Sequence, residues 1–232
     1  MKIAIMQPYF LPYIGYFQLI AAVDTFVIYD NIKYTKKGWI NRNRMLQNGS
    51  DVTFCLPLKK GSDSLHVVQR ELAVAFDRNK LLNKFRDAYS RAPDFLQTFP
   101  LLERLVAFED NNLFRYIRNA LSETCSYLDI DTAIRVSSDI AIDHELKGQD
   151  KVLAICKALG ADTYINAIGG TELYVRQDFE AHGIELNFIR SKHFEYLQFG
   201  APFVPWLSIV DVMMFNAPEQ INVAIRDGYE LI

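Results

Sequence analysis

The chain has 232 residues, of which half are hydrophobic and 13% are aromatic. This composition supports a sizeable apolar core and excludes a globally disordered protein. The formal net charge of -3 argues against a protein that binds nucleic acid or an anionic membrane through its overall charge.

Targeting signals and membrane spans are not expected from this sequence. The N-terminal residues lack the apolar stretch and the small-residue cleavage site of a secretory signal. No apolar run reaches the roughly 18–20 residues that are needed to span a membrane. Cys55, Cys125 and Cys156 are scattered and the four histidines are not clustered, which favours reduced thiols and argues against a metal site. These features predict a cytoplasmic protein.

The first 30 residues alternate between strand and helix patterns. KIAIM at 2–6 has the pattern of a buried strand, and QPYFLPYIGY is a loop that two prolines interrupt. A helix is predicted over about 14–22, and TFVIYD forms a second strand. This βαβ order is typical of a parallel sheet, in which ligands bind beyond the carboxyl ends of the strands. Residues 7–13 and 30–34 would both lie at that edge.

The middle of the chain changes to helical periodicity. A polar loop or short helix is expected over 38–48, a third strand at 52–58 and a further strand in HVVQRELAV at 66–74. Apolar residues spaced i, i+3 and i+4 over about 78–127, interrupted at Pro93 and Pro100, predict a helical subdomain.

The last hundred residues return to an α/β alternation. Strands are predicted in TAIRVSSDI, DTYINAIGG and IELNFIR, and helices in KVLAICKALG and TELYVRQDFEAHG. FVPWLSIVDVMMF is a buried helix, or a strand followed by a helix, and a short helix is expected after Pro218. We therefore predict a single α/β domain over residues 1–232, with a Rossmann-like, mostly parallel sheet and a helical insertion.

Side chains that combine a ring with a polar tip are concentrated in the first 43 residues, and such side chains suit the wall of a ligand pocket. The candidate binding residues there are Gln7, Tyr9, Tyr13, Tyr34, Lys37, Trp39, Asn41, Arg42 and Asn43. A local basic cluster consists of Lys33, Lys36, Lys37, Arg42 and Arg44. Cations interleaved with rings can bind phosphate and stack on a base. The alternative is a solvated basic loop with Trp39 in the core.

Two residues are candidates for acid–base chemistry. Asp30 ends an apolar strand, so its carboxylate suits a general base or an acceptor for a ligand hydroxyl, or else the cap of a turn. His193 is a weaker candidate, because a lone histidine is more often a surface residue.

The segment PYIGY at 12–16 resembles the P-x-H-x-G-H loop of HIGH-type nucleotidyltransferases, but Tyr13 and Tyr16 occupy both histidine positions.

Three later segments are further candidates for ligand binding. Lys59 and Lys60 in KKGSDS suit a phosphate-binding turn, although the Walker spacing is absent. In INAIGGTELY, two glycines let the backbone approach a ligand, and the predicted helix would present free N–H groups to an anion; the alternative is a simple turn between strand and helix. The candidates in this segment are Asn166, Gly169, Gly170 and Glu172. The run FEYLQFGAPFVPW would close the pocket with Tyr196, Gln198 and Trp206 facing inward.

Four segments in this order resemble the WbqC-like family over nearly the full chain: MQPYFLPYIGYFQLI, FVIYD with Tyr34 and GWINRNR, YINAIGGTELY, and PWLSIVDVMMFN. The resemblance implies a cytoplasmic bacterial protein of O-antigen, capsule or lipopolysaccharide biosynthesis that acts on an activated sugar. The implied activity is transfer of an acyl or aminoacyl group to a nucleotide-linked amino sugar. An acyl thioester on a carrier or an aminoacyl-tRNA would be the donor. No resident cofactor is implied, and the setting allows a homo-oligomer.

On this interpretation, phosphates bind to Lys37, Arg42 and Lys59 or Lys60, and Trp39 or Tyr9 stacks on a ring. Asp30, or less readily His193, takes the proton from an amine nucleophile. Two other functions fit the same residues. The first is a HIGH-like nucleotidyltransferase, which Tyr13 and Tyr16 disfavour. The second is a non-catalytic nucleotide-sugar-binding protein of glycan assembly.

Overall fold

Residues 1–200 and 202–232, the part of the chain that the computed structural model describes, contain eight strands and eight α-helices. The strands are β1 (Lys2–Met6), β2 (Thr25–Ile28), β3 (Arg42–Gln47), β4 (Ser50–Cys55), β5 (Ala133–Val136), β6 (Thr163–Ala167), β7 (Glu185–Ser191) and β8 (Tyr229–Leu231). The helices are α1 (Ile14–Ala21), α2 (Arg78–Tyr89), α3 (Phe95–Ala107), α4 (Leu113–Tyr127), α5 (Gly148–Leu159), α6 (Arg176–Glu180), α7 (Ile209–Phe215) and α8 (Pro218–Asp227).

A six-stranded sheet with the order β5-β2-β1-β6-β7-β8 organises the chain. Its neighbouring strands are parallel except at the pair of β7 and β8, which is antiparallel. Numbered within this sheet, the order is 3-2-1-4-5-6, the Rossmann order. From β1 the chain adds β2 and then β5 on one side of the sheet. It then crosses to the other side of β1 and adds β6, β7 and β8 in turn. This confirms the predicted Rossmann-like α/β fold and leaves a crevice at the carboxyl ends of β1 and β6.

Two apolar cores cover the two faces of this sheet. Successive side chains of a strand point to opposite faces, so Ile3 and Ile5 lie in one core while Ala4 lies in the other. The core around Ala4 also contains the apolar faces of α1, α7 and the helices of the insertion. The opposite core is closed by α5 and by Phe179 of α6. Coverage of both faces explains why β1 and β2 are nearly continuous apolar runs.

The helical periodicity over 78–127 corresponds to α2, α3 and α4, which confirms the predicted helices. Pro93 lies between α2 and α3 as expected, but Pro100 lies inside α3 and does not interrupt it. The N–H that proline lacks would have bonded to the carbonyl of Leu96, an exposed residue in the first turn of the helix. None of the described helices is both long enough and apolar enough to cross a bilayer.

Residues 38–58 differ from the prediction. β3 and β4 form a separate antiparallel hairpin, so the expected loop or short helix over 38–48 is wrong for the residues of β3. Asn48 and Gly49 join the two strands with φ angles of 52° and 76°. Asn-Gly is the preferred pair for a type I′ turn, which needs positive φ at both positions. This dipeptide was therefore the local signal for the hairpin.

Two other segments were predicted with the wrong structure. HVVQRELAV is not a strand: it contains a 3₁₀ turn at Val67–Gln69 and makes only isolated bridges, such as that of His66 with Lys33. TELYVRQDFEAHG is not one helix, because a 3₁₀ helix at Ile168–Leu173 precedes the five-residue α6. Adjacent glycines disfavour an α-helix at this point. β8 was missed, since three residues are too short for a periodic signal.

We predict that Gly49→Ala lowers the free energy of unfolding, measured by urea denaturation, because alanine is strained in the left-handed region. The expected cost is about 1–2 kcal/mol. Gly169→Ala is the matched control, since an added Cβ meets nothing within 4 Å at either position and only Gly49 has a positive φ. Equal stabilities of the two variants would contradict the type I′ turn.

Candidate functional site

A cavity of about 600 Å³ opens at the carboxyl edge of the sheet, where β1 and β6 lie side by side. This volume falls within the roughly 300–1,000 Å³ that is typical of small-molecule sites. We call it the tyrosine cavity because it is lined by Tyr9, Tyr13, Tyr16, Tyr29 and Tyr174. Its other polar or glycine positions are Gln7, Gly15, Lys33, Gly148, Gln149, Asn166, Gly169 and Gly170.

The ends of three parallel strands place these side chains. Gln7 follows β1, Tyr29 follows β2, and Asn166 is the next-to-last residue of β6. Two helices, α1 and α5, begin at the same edge, and Gly15 and Gly148 in their first turns line the cavity. An added Cβ at Gly15 would overlap the ring of Tyr13. Glycine at this position therefore lets the ring lie against the start of α1.

The loop at 7–13 is fixed by hydrogen bonds from distant parts of the chain. Asn43 of β3 donates its Nδ2 to the carbonyl of Leu11 at 2.7 Å, and the Ser208 hydroxyl donates to the same carbonyl at 2.7 Å. The backbone N–H of Ile209 donates to the carbonyl of Pro12 at 2.8 Å. These bonds stabilise Leu11 at a φ of 46°, which is costly for a residue with a side chain. Tyr9 and Tyr13 are positioned by this anchored loop.

The tyrosines of the cavity are hydrogen-bonding groups rather than bases. Burial raises the pKa of the Tyr9, Tyr13 and Tyr174 hydroxyls above the usual value, and it raises the pKa of Tyr29 to about 12. The Tyr16 hydroxyl donates to the carbonyl of Gln7 at 2.8 Å, and burial raises its pKa as well. At neutral pH these hydroxyls therefore stay protonated and uncharged.

A smaller cavity of about 200 Å³ adjoins the first. We call it the tryptophan cleft; it is lined by Tyr9, Pro12, Tyr13, Trp39, Asn43, Arg44 and Trp206. Tyr9 and Tyr13 line both cavities, so the two spaces share one wall. Trp39 and Trp206 are 41% and 55% exposed, and the Trp206 ring centroid lies 6.1 Å from that of Tyr13.

Several predicted binding residues come together in these two cavities. They are Gln7, Tyr9, Tyr13, Trp39, Asn43, Asn166, Gly169 and Gly170. Asn166 uses its amide locally, since Nδ2 donates to the Tyr164 hydroxyl at 3.1 Å and Oδ1 accepts from the Ala167 N–H at 2.6 Å. The helix expected after the two glycines is a 3₁₀ segment, so no α-helix there presents free N–H groups to an anion.

Other predicted binding residues serve the loop before β3. The Tyr34 hydroxyl donates to Asn41 Oδ1 at 2.8 Å, and Asn41 Nδ2 donates to the carbonyl of Leu56 at 2.8 Å. Arg42 donates from Nη2 to the carbonyl of Lys37 at 2.6 Å, while the Lys37 side chain is exposed. These bonds stabilise the loop. None of the predicted binding residues in it lines either cavity: Tyr34, Lys37, Asn41 and Arg42.

The remaining predicted binding residues lie elsewhere. Lys59 and Lys60 line a separate basic pocket, where Lys59 Nζ forms an ion pair with Glu71 at 2.8 Å. This pocket has no lining residue in common with the two cavities. Glu172 is exposed and does not line either cavity.

The two predicted catalytic residues also lie outside the tyrosine cavity. Asp30 is 1% exposed, and its Oδ1 accepts from the Ser137 hydroxyl at 2.9 Å and the Ser138 N–H at 3.0 Å. Its Oδ2 has no hydrogen-bond partner among the described residues. The carboxylate joins the end of β2 to the segment after β5. His193 is exposed, and its Nδ1 lies 3.8 Å from a Glu195 carboxylate oxygen.

A buried lysine lies close to this aspartate. Lys151 of α5 is buried, donates its Nζ to the carbonyl of His144 at 3.1 Å and lies 5.2 Å from the centroid of the Tyr29 ring. Burial lowers the pKa of Lys151, and the Asp30 charge raises it in part. The charged side chains of Lys151 and Asp30 therefore lie behind Tyr29, outside the lining of the tyrosine cavity.

The sequence reasoning missed four polar residues of the tyrosine cavity: Tyr29, Lys33, Gln149 and Tyr174. Tyr29 follows the end of β2 and Gln149 lies in the first turn of α5, so both occupy the edge where ligands of such sheets bind. That position was the available signal. Lys33 was considered only as a member of the basic cluster.

The segment between β7 and α7 is joined to the rest of the chain by a buried carboxylate. Asp211 accepts hydrogen bonds from the hydroxyls of Tyr89 and Tyr196 at 2.9 and 2.6 Å and from Gln198 Nε2 at 2.7 Å. Burial raises the pKa of the Asp211 carboxyl, and the three donors oppose that rise.

Of the residues expected to close the pocket, Trp206 lines the cleft, whereas Tyr196 and Gln198 bind Asp211. Ala201, within the same run, lies outside the described residues.

Comparisons with known proteins cover nearly the whole chain. The model of the WbqC-like protein family matches residues 7–223. "Uncharacterized protein Rv1507c" of Mycobacterium tuberculosis (strain ATCC 25618 / H37Rv) is 30% identical over 219 residues, which are 93% of each protein. The family match begins at Gln7 and includes every lining residue of the tyrosine cavity except Ile5 and Met6.

We predict that Tyr196→Phe destabilises the fold through Asp211, and that the loss depends on pH. The folded carboxyl has a raised pKa, so its contribution to stability is greatest below 3.8, its unperturbed pKa, and declines as the pH rises through the folded pKa. Removal of one donor raises that pKa further, which makes the decline larger. Near neutral pH the expected loss is about 1.5–3 kcal/mol in urea unfolding.

Tyr127→Phe is the control for this variant, since the Tyr127 hydroxyl lies 3.4 Å from the Thr98 hydroxyl and faces no carboxylate in the hydrogen bonds described. Its effect should be small and independent of pH. If both variants lose the same free energy at acidic and neutral pH, Asp211 does not hold the segment as described.

Proposed function

The chain belongs to the WbqC-like protein family, and we propose that its tyrosine cavity binds a nucleotide-linked amino sugar for an acyl or aminoacyl transfer reaction. The observation that supports this best is the cavity of about 600 Å³ at the crossover between β1 and β6. Sheets of this order bind nucleotide-containing ligands at that point. The resemblance to this family implies a role in O-antigen, capsule or lipopolysaccharide biosynthesis, and that role forms part of the proposal.

The lining of the cavity suits a hydroxyl-rich ligand with one anionic group. Five tyrosine rings offer apolar faces with protonated hydroxyl tips, and Gln7 adds a side-chain amide whose nearest partner, the Tyr9 hydroxyl, is 3.5 Å away. Lys33 is the one charged residue among the described residues that line the cavity. An ammonium group pairs with a phosphate oxygen through a charge-assisted hydrogen bond. A sugar joined to a diphosphate combines both kinds of group.

The transfer step needs positioned reactants more than a reactive side chain. The amine nitrogen of the sugar attacks the acyl carbonyl of the donor and forms a C–N bond. The C–S bond of a thioester, or the C–O bond of an aminoacyl ester, then breaks, and the amine proton leaves with the thiol or ribose hydroxyl. Asp30 and His193 lie outside the cavity, so the proposal relies on orientation of the two substrates rather than on either residue.

A cytoplasmic location forms part of the proposal. Cys55, Cys125 and Cys156 are all free thiols, as is usual for proteins in a reducing compartment. Burial raises the pKa of both Cys125 and Cys156 to about 12, so these two thiols are poor nucleophiles. Because neither thiol is a good nucleophile, the acyl group is expected to pass directly from donor to amine rather than through an intermediate on Cys125 or Cys156.

A non-catalytic nucleotide-sugar-binding protein is supported by the same cavity and is the second candidate. A HIGH-like nucleotidyltransferase is less well supported. Its histidine positions hold Tyr13 and Tyr16, whose hydroxyls stay uncharged, and that of Tyr16 already donates to a backbone carbonyl. Neutral hydroxyls supply much less stabilisation to a triphosphate than imidazolium groups do.

The transfer is tested by incubating the protein with nucleotide-linked amino sugars and with acyl thioester or aminoacyl-tRNA donors. We expect a new amide in the sugar, detected by mass spectrometry, and stoichiometric release of the thiol or the free tRNA. Binding of the nucleotide sugar without product from any donor would support the binding protein and contradict the transferase. Release of pyrophosphate from a nucleoside triphosphate would instead support the nucleotidyltransferase.

We predict that Lys33→Gln weakens binding of a nucleotide-linked amino sugar about tenfold or more, because a charge-assisted hydrogen bond to phosphate is lost. Isothermal titration calorimetry measures the change. Lys157→Gln is the matched control, since this exposed lysine lies in the last turn of α5, remote from the end that lines the cavity. Equal affinities of the two variants would contradict phosphate binding at Lys33.

A further inference from the structure

We infer that the tryptophan cleft binds the base of the nucleotide whose sugar occupies the tyrosine cavity. The inference rests on the proposed function, because it assigns two parts of one ligand to two adjoining spaces. Tyr9 and Tyr13 are the common wall of these spaces. A ligand that passes this wall would have one end in each of them.

The volume of the cleft is the first argument. At about 200 Å³ it is smaller than the roughly 300–1,000 Å³ of a site for a whole small-molecule ligand. It can therefore take one ring group, while the tyrosine cavity of about 600 Å³ takes the larger part of the ligand.

The polar groups of the cleft are the second argument, because most of them already have partners. Asn43 donates its Nδ2 to the carbonyl of Leu11, and its Oδ1 accepts from the backbone N–H of Arg44. The Arg44 guanidinium donates from Nη1 to Asp51 and from Nη2 to the carbonyl of Trp206. A sugar ring needs partners for several hydroxyls, and each buried hydroxyl without one is costly. A base has two apolar faces and stacks on aromatic rings without such partners.

One donor of a residue that lines the cleft has no partner within the protein. The Nε of Arg44 is buried and has no hydrogen-bond partner among residues 1–200 and 202–232. The Cζ atoms of Arg42 and Arg44 lie 5.5 and 5.7 Å from the centroid of the Trp39 ring, so this ring is held by cation–π contacts. Because this N–H is shielded from solvent, the ring carbonyl of a base would satisfy it only if the Arg44 side chain turns toward the cleft.

The backbone of Trp206 is the third argument. This residue has a φ of 60°, in the left-handed region that is costly for a residue with a side chain. The residue is nevertheless more than half exposed, at 55%, so its burial does not compensate the cost. The bond from Arg44 Nη2 at 3.1 Å stabilises the strained backbone. Strained residues occur preferentially at ligand sites, where they place a side chain that a relaxed backbone would not.

The chain provides its own probe for this inference, because Trp39 and Trp206 are its only two tryptophans. Any change in tryptophan fluorescence thus reports on the cleft. We expect nucleoside diphosphates, tested as a panel of the five common bases, to quench the emission, most strongly for bases with a ring carbonyl. Free N-acetylglucosamine should leave the emission unchanged. UDP-N-acetylglucosamine and its thymidine and guanosine counterparts should quench as their diphosphates do.

Variants of Trp206 test the stacking directly. Trp206→Ala should lower the affinity for a quenching nucleotide by roughly 5- to 150-fold, as expected for loss of one base–aromatic stack. Trp206→Phe should retain most of the affinity because it keeps a ring. Leu197→Ala is the control, since Leu197 is 85% exposed in the same segment and lines neither cavity.

Three outcomes would overturn the inference. If nucleotide sugars bind by calorimetry while the emission and the Trp206→Ala affinity stay unchanged, the base lies elsewhere and the proposed function stands. If N-acetylglucosamine alone quenches and the diphosphates do not, the cleft binds the sugar. If no nucleotide or nucleotide sugar binds by calorimetry, both the inference and the proposed function fail.

Discussion

The carbonyl groups of Leu11 and Pro12 are the point at which three distant parts of the chain are joined. The hairpin reaches Leu11 through the amide of Asn43, and the start of α7 reaches both carbonyls through Ser208 and the N–H of Ile209. The loop after β1 is thereby fixed over the open edge of the sheet. Tyr9 and Tyr13 project from this loop, so the position of the wall between the two cavities depends on these bonds. A flexible loop here would leave neither cavity with a defined shape.

The fold could be predicted largely from local patterns, whereas the pairing of its strands could not. Buried apolar runs identified β1, β2 and β6, and helical periodicity identified α2, α3 and α4, because both signals are contained in a few neighbouring residues. The hairpin of β3 and β4 was missed although Asn48 and Gly49 marked its turn. The strand predicted at 52–58 overlaps β4, but β3 is rich in polar residues, such as Arg42, so its binary pattern suggested a loop.

The same distinction applies to the site. Gln7 and Asn166 were predicted correctly to lie at the edge of the sheet, because their position follows from where a strand ends. Tyr34 and Asn41 have the same chemical character but bind each other and the backbone of Leu56, a partner that only the tertiary structure brings near. Asp30 was predicted to end a strand but lies two residues beyond β2, and its carboxylate accepts a hydrogen bond from Ser137, which follows β5 and is 107 residues away along the chain. Residue type and strand end thus locate a site, but tertiary partners decide which side chains remain available to a ligand.

The character of the cavity limits the chemistry that it can perform. Its tyrosines are neutral donors, since burial raises their pKa values, and Lys33 is the one charged side chain among its described lining residues. Such a site binds and orients a ligand better than it moves protons. This fits a reaction in which an activated donor and an amine already possess the required reactivity, and in which effective concentration supplies the rate.

The most direct measurement of the central claim is a crystal structure of the protein with a bound nucleotide-linked amino sugar. We predict electron density for the sugar within the tyrosine cavity, for a phosphate next to Lys33 and for the base between Trp39 and Trp206. Density for the ligand in the basic pocket of Lys59 and Lys60, with both cavities empty, would contradict the account.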